Sequence, residues 1–448
     1  MRRNVPDNNI STTYARPPDK ETHLLSAPLP ESTVSHRKFQ ITAWLIWIGH
    51  FVFITRQKIF QRARDRLDFD TVDAYAAVDV ITVSFLMIVL LCSSRTSQFL
   101  SKVYKSSAFW LLLYYLLCAL SATWSLRPVY SFYRSVEFMV FFVSLVVALS
   151  YSPGFEKAEK WVLFLSILSV FVQMGLHMKE GIPLSLAAWH TNAYTASAAV
   201  IFVYCTGEYL ALAKQKLAGE WERRKMLLTY GCLSLPLLLL GTSSASNVAA
   251  LFGLCVILLI RRKVGILMLI IFVMLPLFFL IDGPDVLQQV IFPGKSVESI
   301  ETFGGRTMAW DYYKEKIAES LLLGYGLGVS PIYGERAGAV YSHNFVISIL
   351  IGTGFLGLSI FFVFIVKLGA ELIRTLRSRI KGATGIMAAM AAGFVNSMSI
   401  AIIADRWFTA SFAFLSIFAL FVLHVYPRSF QSAGLSSIDQ EVTSEGTQ

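Results

Sequence analysis

FVISILIGTGFLGLSIFFVFIV, residues 345–366, runs for 22 positions without a charged side chain. As an α-helix it would rise about 33 Å, enough to cross a hydrocarbon core of about 30 Å. The 282–344 segment before it is different in kind, with five basic and eight acidic residues. A polar stretch of that length between two apolar blocks is where chemistry would be expected, because the other connections are short.

The whole chain repeats the apolar theme. It has 448 residues, 55% hydrophobic, 14% aromatic and only 15% charged, with a mean hydropathy of +0.59. That excludes a water-soluble globule of this size. The apolar blocks are of helix-spanning length and lack the short alternation of an outer-membrane barrel. The expected fold is therefore an all-α integral membrane protein with about twelve transmembrane helices. Nine would lie in 41–281 and three in 343–426, with one large loop of short helices at 282–342. The tails, 1–40 and 427–448, are polar and read as disordered and cytoplasmic, without a cleavable leader.

The net charge of +10 comes mainly from Lys and Arg in short connections. That is the positive-inside pattern, not a nucleic-acid surface. Basic groups cluster at Arg95 to Lys105, Lys157 and Lys160, Lys214 to Lys225, Arg261 to Lys263 and Arg374 to Lys381, leaving the large loop outside. One connection disagrees: TRQKIFQRARDRLDFD carries Arg56, Lys58, Arg62, Arg64 and Arg66 after a short first block containing His50. A re-entrant first helix and eleven spans is the other reading of that block. The five cysteines sit in apolar surroundings without C-x-x-C spacing and read as small core residues, so no metal is expected. No internal repeat appears, which speaks against a transporter built from inverted halves.

Several polar groups invite a chemical reading. In WSLRPVYSFYRSVEF, Arg127 and Arg134 stand at a span entrance and Glu137 lies one turn past Arg134, so the two form an entry ion pair or face an anionic ligand. His190 and Asn192 in WHTNAY read as interfacial anchors or substrate contacts, and GTSSASN reads as a turn and helix cap. GGRTMAWDYYKEKIAES predicts a helix of about three turns capped by Thr307, with Arg306 at an N-terminus suited to phosphate. LLLGYGLGVSP, containing Tyr325, reads as a tight turn returning to the membrane and not as a nucleotide loop. Then come His343, able to move a proton near neutral pH, and Asn344, at the mouth of the 345–366 block. Gly352, Gly354 and Gly357 within that block suggest close helix approach.

In order, G-R-x-x-x-W at 305–310, L-L-G-Y-G-L-G at 322–328, S-H-N-F at 342–345 and G-x-x-G-L at 354–358 resemble the bacterial O-antigen ligase and Wzy-type polymerase superfamily. Trp124, Ser125, Pro128 and Ser131 resemble an early W-S-x-x-P-x-x-S stretch of the same family, and HTNAY its Asn-containing segment.

The resemblance implies a GT-C-like glycosyltransferase of the bacterial inner membrane with a periplasmic active side. It would use neither cofactor nor metal. Its donor would be a glycan on undecaprenyl pyrophosphate. Its acceptor would be another lipid-linked glycan for a polymerase, which is favoured, or lipid A core for a ligase. Further partners would be the bilayer and other polysaccharide assembly and export proteins, with no nucleic acid. His343 and Arg306 would be catalytic. Arg134, Arg127, His190, Asn192, Asn344, Tyr325 and Arg406 would bind substrate. Ser244 and Ala245 stand where the family commonly has Ser-Arg or Ser-Lys, so Arg134, Arg127 or Arg406 would substitute for the missing cation. A lipid-linked sugar transporter and a noncatalytic export scaffold are the competing classes.

Overall fold

The structure, a computed structural model, describes residues 33–59, 73–179, 192–212, 220–241, 243–263, 265, 306–330, 332–333, 342–403 and 407–427. Among the described residues every regular element is a helix. They are α1 (Thr33–Ile59), α2 (Ala74–Leu91), α3 (Ser94–Val103), α4 (Ser107–Leu120), α5 (Pro128–Ser150), α6 (Phe155–Lys179) and α7 (Asn192–Leu212). Then follow α8 (Trp221–Leu240), α9 (Ser244–Ile260), α10 (Arg306–Glu319), α11 (Phe345–Arg377), α12 (Ala383–Ser397) and α13 (Thr409–Leu420), the last extended by a π turn. By length and apolarity α2, α5, α6, α7 and α11 contain candidate membrane spans, and five shorter apolar helices accompany them. The expected ninth span and 282–305 fall outside the described residues, apart from position 265.

Two units divide the chain, Met1–Ile41 and Thr42–Gln448. Of the first only the opening turns of α1 are described. Within the second, α7 packs against α6, α8, α9, α12 and α13, while α5 packs against α2, α4 and α13. In the apolar windows of α5 and α7, 72% of residues are buried, against 28% in α2. The first two are therefore central, and α2 turns Ile81, Ile88 and Leu91 outward, as lipid-facing helices do. α7 and α12 cross where glycines meet: a Cβ on Gly207 would lie 3.0 Å from the Gly385 backbone. Close backbone approach through small residues drives helix association where lipid offers no hydrophobic advantage.

Helices outrun the apolar blocks that predicted them. α5 begins at Pro128, seven residues before the expected Ser135, because proline suits a first helical position and the Arg134–Glu137 pair neutralises charge on the buried turn that follows. α11 continues past Val366 to Arg377. Its length of about 50 Å exceeds a bilayer core.

Arg56 belongs to α1 and not to a loop. It is buried, donates to Asp79 Oδ2 at 3.1 Å, and lies over the Phe53 ring. It therefore leaves the tally of connecting charges that seemed to disagree with the topology. His50 of the same helix is also buried, 2.8 Å from Ser144 Oγ.

The two ends of the bundle are tied by different chemistry. At the basic end, Arg223 (α8) reaches both Glu159 oxygens at 2.7 Å and Glu208 (α7) at 2.7 Å. Glu208 in turn accepts from Gly382 N at 3.0 Å and Gly385 N at 2.8 Å, capping α12 from another helix. Lys381 bridges Glu156 at 2.5 Å and Glu220 at 2.7 Å. Burial works against its charged form, but the two carboxylates prevail and raise its pKa. The opposite, loop end holds the candidate site.

Candidate functional site

α11 is broken near its start. Gly354 has φ 61° and ψ −159°, a combination open essentially to glycine alone. The helical bonds Phe355 N to Ile351 O and Leu356 N to Gly352 O are replaced by partners in the 321–326 loop. Tyr325 N and Gly326 N donate to Ile351 O and Gly352 O, both at 2.7 Å. Phe355 N and Leu356 N donate to Leu321 O at 2.8 Å and Leu322 O at 3.2 Å. Irregular backbone survives at membrane depth only when its polar groups find protein partners, and here a loop supplies all four. The glycines of 352–357 were expected to serve helix approach. Gly354 is instead the break, and a Cβ on Gly352 would contact the 326–327 backbone.

The same loop is stitched to α4 and α5. Gly324, Gly326 and Gly328 all have positive φ. A Cβ on Gly326 would lie 2.8 Å from Ser131 Oγ, and one on Gly324 2.6 Å from Ile351 O. Ser131 donates to Leu327 O at 2.8 Å and sits 2.7 Å from Ser125 Oγ, while Leu327 N donates to Ser121 Oγ at 3.3 Å. Trp124 Nε1 donates to Leu323 O at 3.1 Å, and Leu126 N to Tyr325 O at 3.2 Å. The W-S-x-x-P-x-x-S stretch is thus the seat of the G-Y-G-L-G loop, which plugs into the helix break and is no free turn.

Beyond that loop stands His343. Its φ of 52° is left-handed, unusual for a residue with a Cβ. Both neighbours are anchored. Ser342 O accepts from Trp310 Nε1 at 2.8 Å, Ser342 N donates to Ser330 Oγ at 3.2 Å, and Ser342 Oγ is 2.6 Å from Ser348 Oγ. Asn344 Oδ1 caps α11, accepting from Val346 N at 2.9 Å and Ile347 N at 3.3 Å. The backbone of half-buried His343 is therefore held where α11 begins. Asn344, expected as a substrate contact, uses its Oδ1 as the cap of this helix.

Arg134 also lies beside the loop, its Cγ 3.5 Å from where a Cβ of Gly328 would stand. Gly328 and Ser330 are two positions apart, about 7 Å of chain at most, so Arg134 and the Ser342–His343 turn flank one short strip. The Arg134 guanidinium donates to Glu137 Oε2 at 2.5 Å and rests over Tyr130 and Tyr133. Glu137 is fully buried, and its other oxygen accepts from Trp407 N at 3.2 Å. Arg56 interacts electrostatically with both Glu137 and Arg134. The result is a buried, charge-balanced set of Arg56, Asp79, Arg134 and Glu137. Its sequence signal was Asp79 inside an apolar block, which went unread.

Arg127 is the N-cap residue of α5 and its side chain is exposed. Tyr325 Oη donates to Lys316 O at 3.1 Å and Glu319 Oε2 at 3.2 Å, and its ring packs on Tyr333. Burial and the Glu319 carboxylate raise the Tyr325 pKa. Burial pushes Tyr333 up to about 12, so both phenols stay neutral near pH 7. Arg306 is the first residue of α10, and Thr307, expected to cap that helix, lies inside it. Asn192 opens α7. The side chains of Arg306 and Asn192, and the whole of His190 and Arg406, lie outside the described residues. Ser243 caps α9 by accepting from Ser246 N at 3.4 Å, as GTSSASN suggested, and Ala245 is half-buried in its first turn.

Loop, helix break and His343 all fall in one stretch that a comparison with known families recognises. Residues 230–362 match the O-antigen ligase family. The resemblance to the O-antigen ligase and Wzy superfamily thus holds over this segment, from within α8 to within α11. No curated protein matches the chain. Over 230–362 the chain is thus similar to the O-antigen ligase family, and its described residues include five helices long and apolar enough to cross a membrane.

Proposed function

We propose that this chain is a membrane glycosyltransferase that moves a glycan from undecaprenyl pyrophosphate to a sugar hydroxyl, without metal or cofactor, and acts as a polymerase of surface polysaccharide. In this reading it crosses the bacterial inner membrane twelve times, with the 282–342 loop periplasmic. The supporting observation is the Trp310 Nε1 bond to Ser342 O at 2.8 Å. It ties the second turn of α10, which starts at Arg306, to the residue preceding His343.

In the proposed reaction the acceptor hydroxyl attacks the anomeric carbon of the donor sugar. The new glycosidic C–O bond forms as the C–O bond to pyrophosphate breaks, and the pyrophosphate leaves with the bonding electron pair. His343 takes the hydroxyl proton, and the Arg306 guanidinium at the helix N-terminus offsets charge growing on the leaving group. Arg127, exposed at the start of α5, and Arg406 are the remaining candidates for the cation that Ala245 does not supply. Arg134 would serve only by releasing Glu137.

The family matched over 230–362, O-antigen ligase, favours a second reading in which the acceptor is lipid A core. The length distribution of undecaprenyl-linked glycans in cells carrying wild type or His343→Ala decides between them. Single repeat units accumulating on the lipid support the polymerase. Long chains stranded on the lipid support the ligase. An unchanged distribution at normal expression removes His343 from the mechanism and reopens the transporter and scaffold readings.

A further inference from the structure

A cavity of about 490 Å³ lies at the basic end of the bundle, enclosed by α3, the start of α4, the end of α5 and the turn after α13. Ser150, on its wall, is separated from Ser131 at the loop end by about 28 Å of helix, close to a hydrocarbon thickness. The cavity thus opens at the opposite membrane face from the candidate site.

α3 (SRTSQFLSKV) is polar on average but strongly two-faced. Arg95, Phe99 and Val103, spaced four apart, form one stripe, and all three line the cavity. Phe99 and Val103 are buried floor, with Val422 and Leu423 of the final turn opposite. Arg95 and Lys105 stand at the two ends of the stripe, the first over the Tyr151 ring and the second over Tyr104. A short amphipathic helix of this kind lies in the membrane interface, and the neighbouring Leu91 and Leu100 are exposed for lipid contact.

A carboxylate packed behind this wall is already engaged by hydrogen bonds. Glu371 is buried and accepts from Ser107 N at 2.8 Å and Ser107 Oγ at 2.6 Å. Tyr426 on the cavity wall bonds the same carboxylate; burial and Glu371 push its pKa up to about 12, so it stays a neutral donor.

We propose that this cavity binds an anionic glycerophospholipid, its phosphate between Arg95 and Lys105 and its glycerol and upper acyl carbons on Phe99, Val103, Val422 and Leu423. Basic pockets between transmembrane helices take anionic headgroups in this way. The volume and apolar floor exceed what a free phosphate needs, and the site is independent of the glycan chemistry.

The test titrates delipidated full-length protein in detergent with phosphatidylglycerol, phosphatidylcholine or inorganic phosphate, reading bound lipid by native mass spectrometry. Wild type should prefer phosphatidylglycerol. Arg95→Gln with Lys105→Gln should weaken it on the order of thirtyfold and leave phosphatidylcholine unaffected. Val103→Trp fills the cavity with both charges intact and should also weaken phosphatidylglycerol; Ser150→Trp replaces it if that variant does not fold. Unchanged preference in the charge variant, unchanged binding in the filled variant, or inorganic phosphate binding as tightly as phosphatidylglycerol would each overturn the proposal.

Discussion

The basic end of this bundle and the 321–326 loop at the other end are held by different bonds. At the basic end four segments are pinned by buried ions: Glu159, Glu208 and Arg223 join α6, α7, α8 and the start of α12. At the loop end a second buried ion set, Arg56, Asp79, Arg134 and Glu137, joins the helices, but the loop itself is held by backbone groups and serine hydroxyls, with 321–326 replacing two helical bonds of α11. A buried ion set is rigid and fails heavily when one partner goes. Neutral hydrogen bonds are each worth about 1 kcal/mol, so they can be exchanged singly. The 321–326 loop is thus held by the exchangeable kind, as suits the large substrate of the proposed reaction.

That contrast can be broken or sharpened by substitution. Arg223→Ala leaves Glu159 and Glu208 buried without their cation, and should lower stability by about 3–5 kcal/mol in denaturant unfolding in detergent. His343→Ala should cut glycan transfer on the order of a hundredfold or more with little change in stability. His343→Gly should match it in activity yet be the more stable of the two by about 1 kcal/mol, since glycine accepts the left-handed backbone freely. A Gly variant no more stable than the Ala variant would show that the φ of 52° stores no strain. Gly354→Ala should destabilise by about 1–3 kcal/mol and loosen the loop, seen as faster proteolysis within 321–326. Ser131→Ala should cost about 1 kcal/mol, and Tyr325→Phe about half that, because the Lys316–Glu319 ion pair beside it persists. If either of the last two matched Arg223→Ala, the 321–326 loop would be no softer than the basic end.

Most of the helices were legible because apolar runs without charge have few alternatives. Arg134 and Glu137 were legible as a pair because one helical turn separates them. The helix break was not. Gly324, Gly326, Gly352 and Gly354 each have an ordinary local explanation, and only their pairing across 26 residues of sequence, Gly326 N to Gly352 O, makes them one feature. The seat formed by Trp124, Ser125 and Ser131 was hidden for the same reason, since it lies about 200 residues from the loop it holds. Periodicity reports which face of a helix is buried. It says nothing about which distant loop repairs a helix.

The ladder between 321–326 and 351–356 has a practical consequence for building chimaeras. An external loop is ordinarily the easiest part of a membrane protein to exchange between relatives. Here a cassette cut at residue 343 would separate Leu321 and Tyr325 from the amides and carbonyls they complete in α11. A working graft must carry residues 321–356 as one piece, and its recipient must offer serines and an indole matching Ser121, Ser131 and Trp124 on the facing helices.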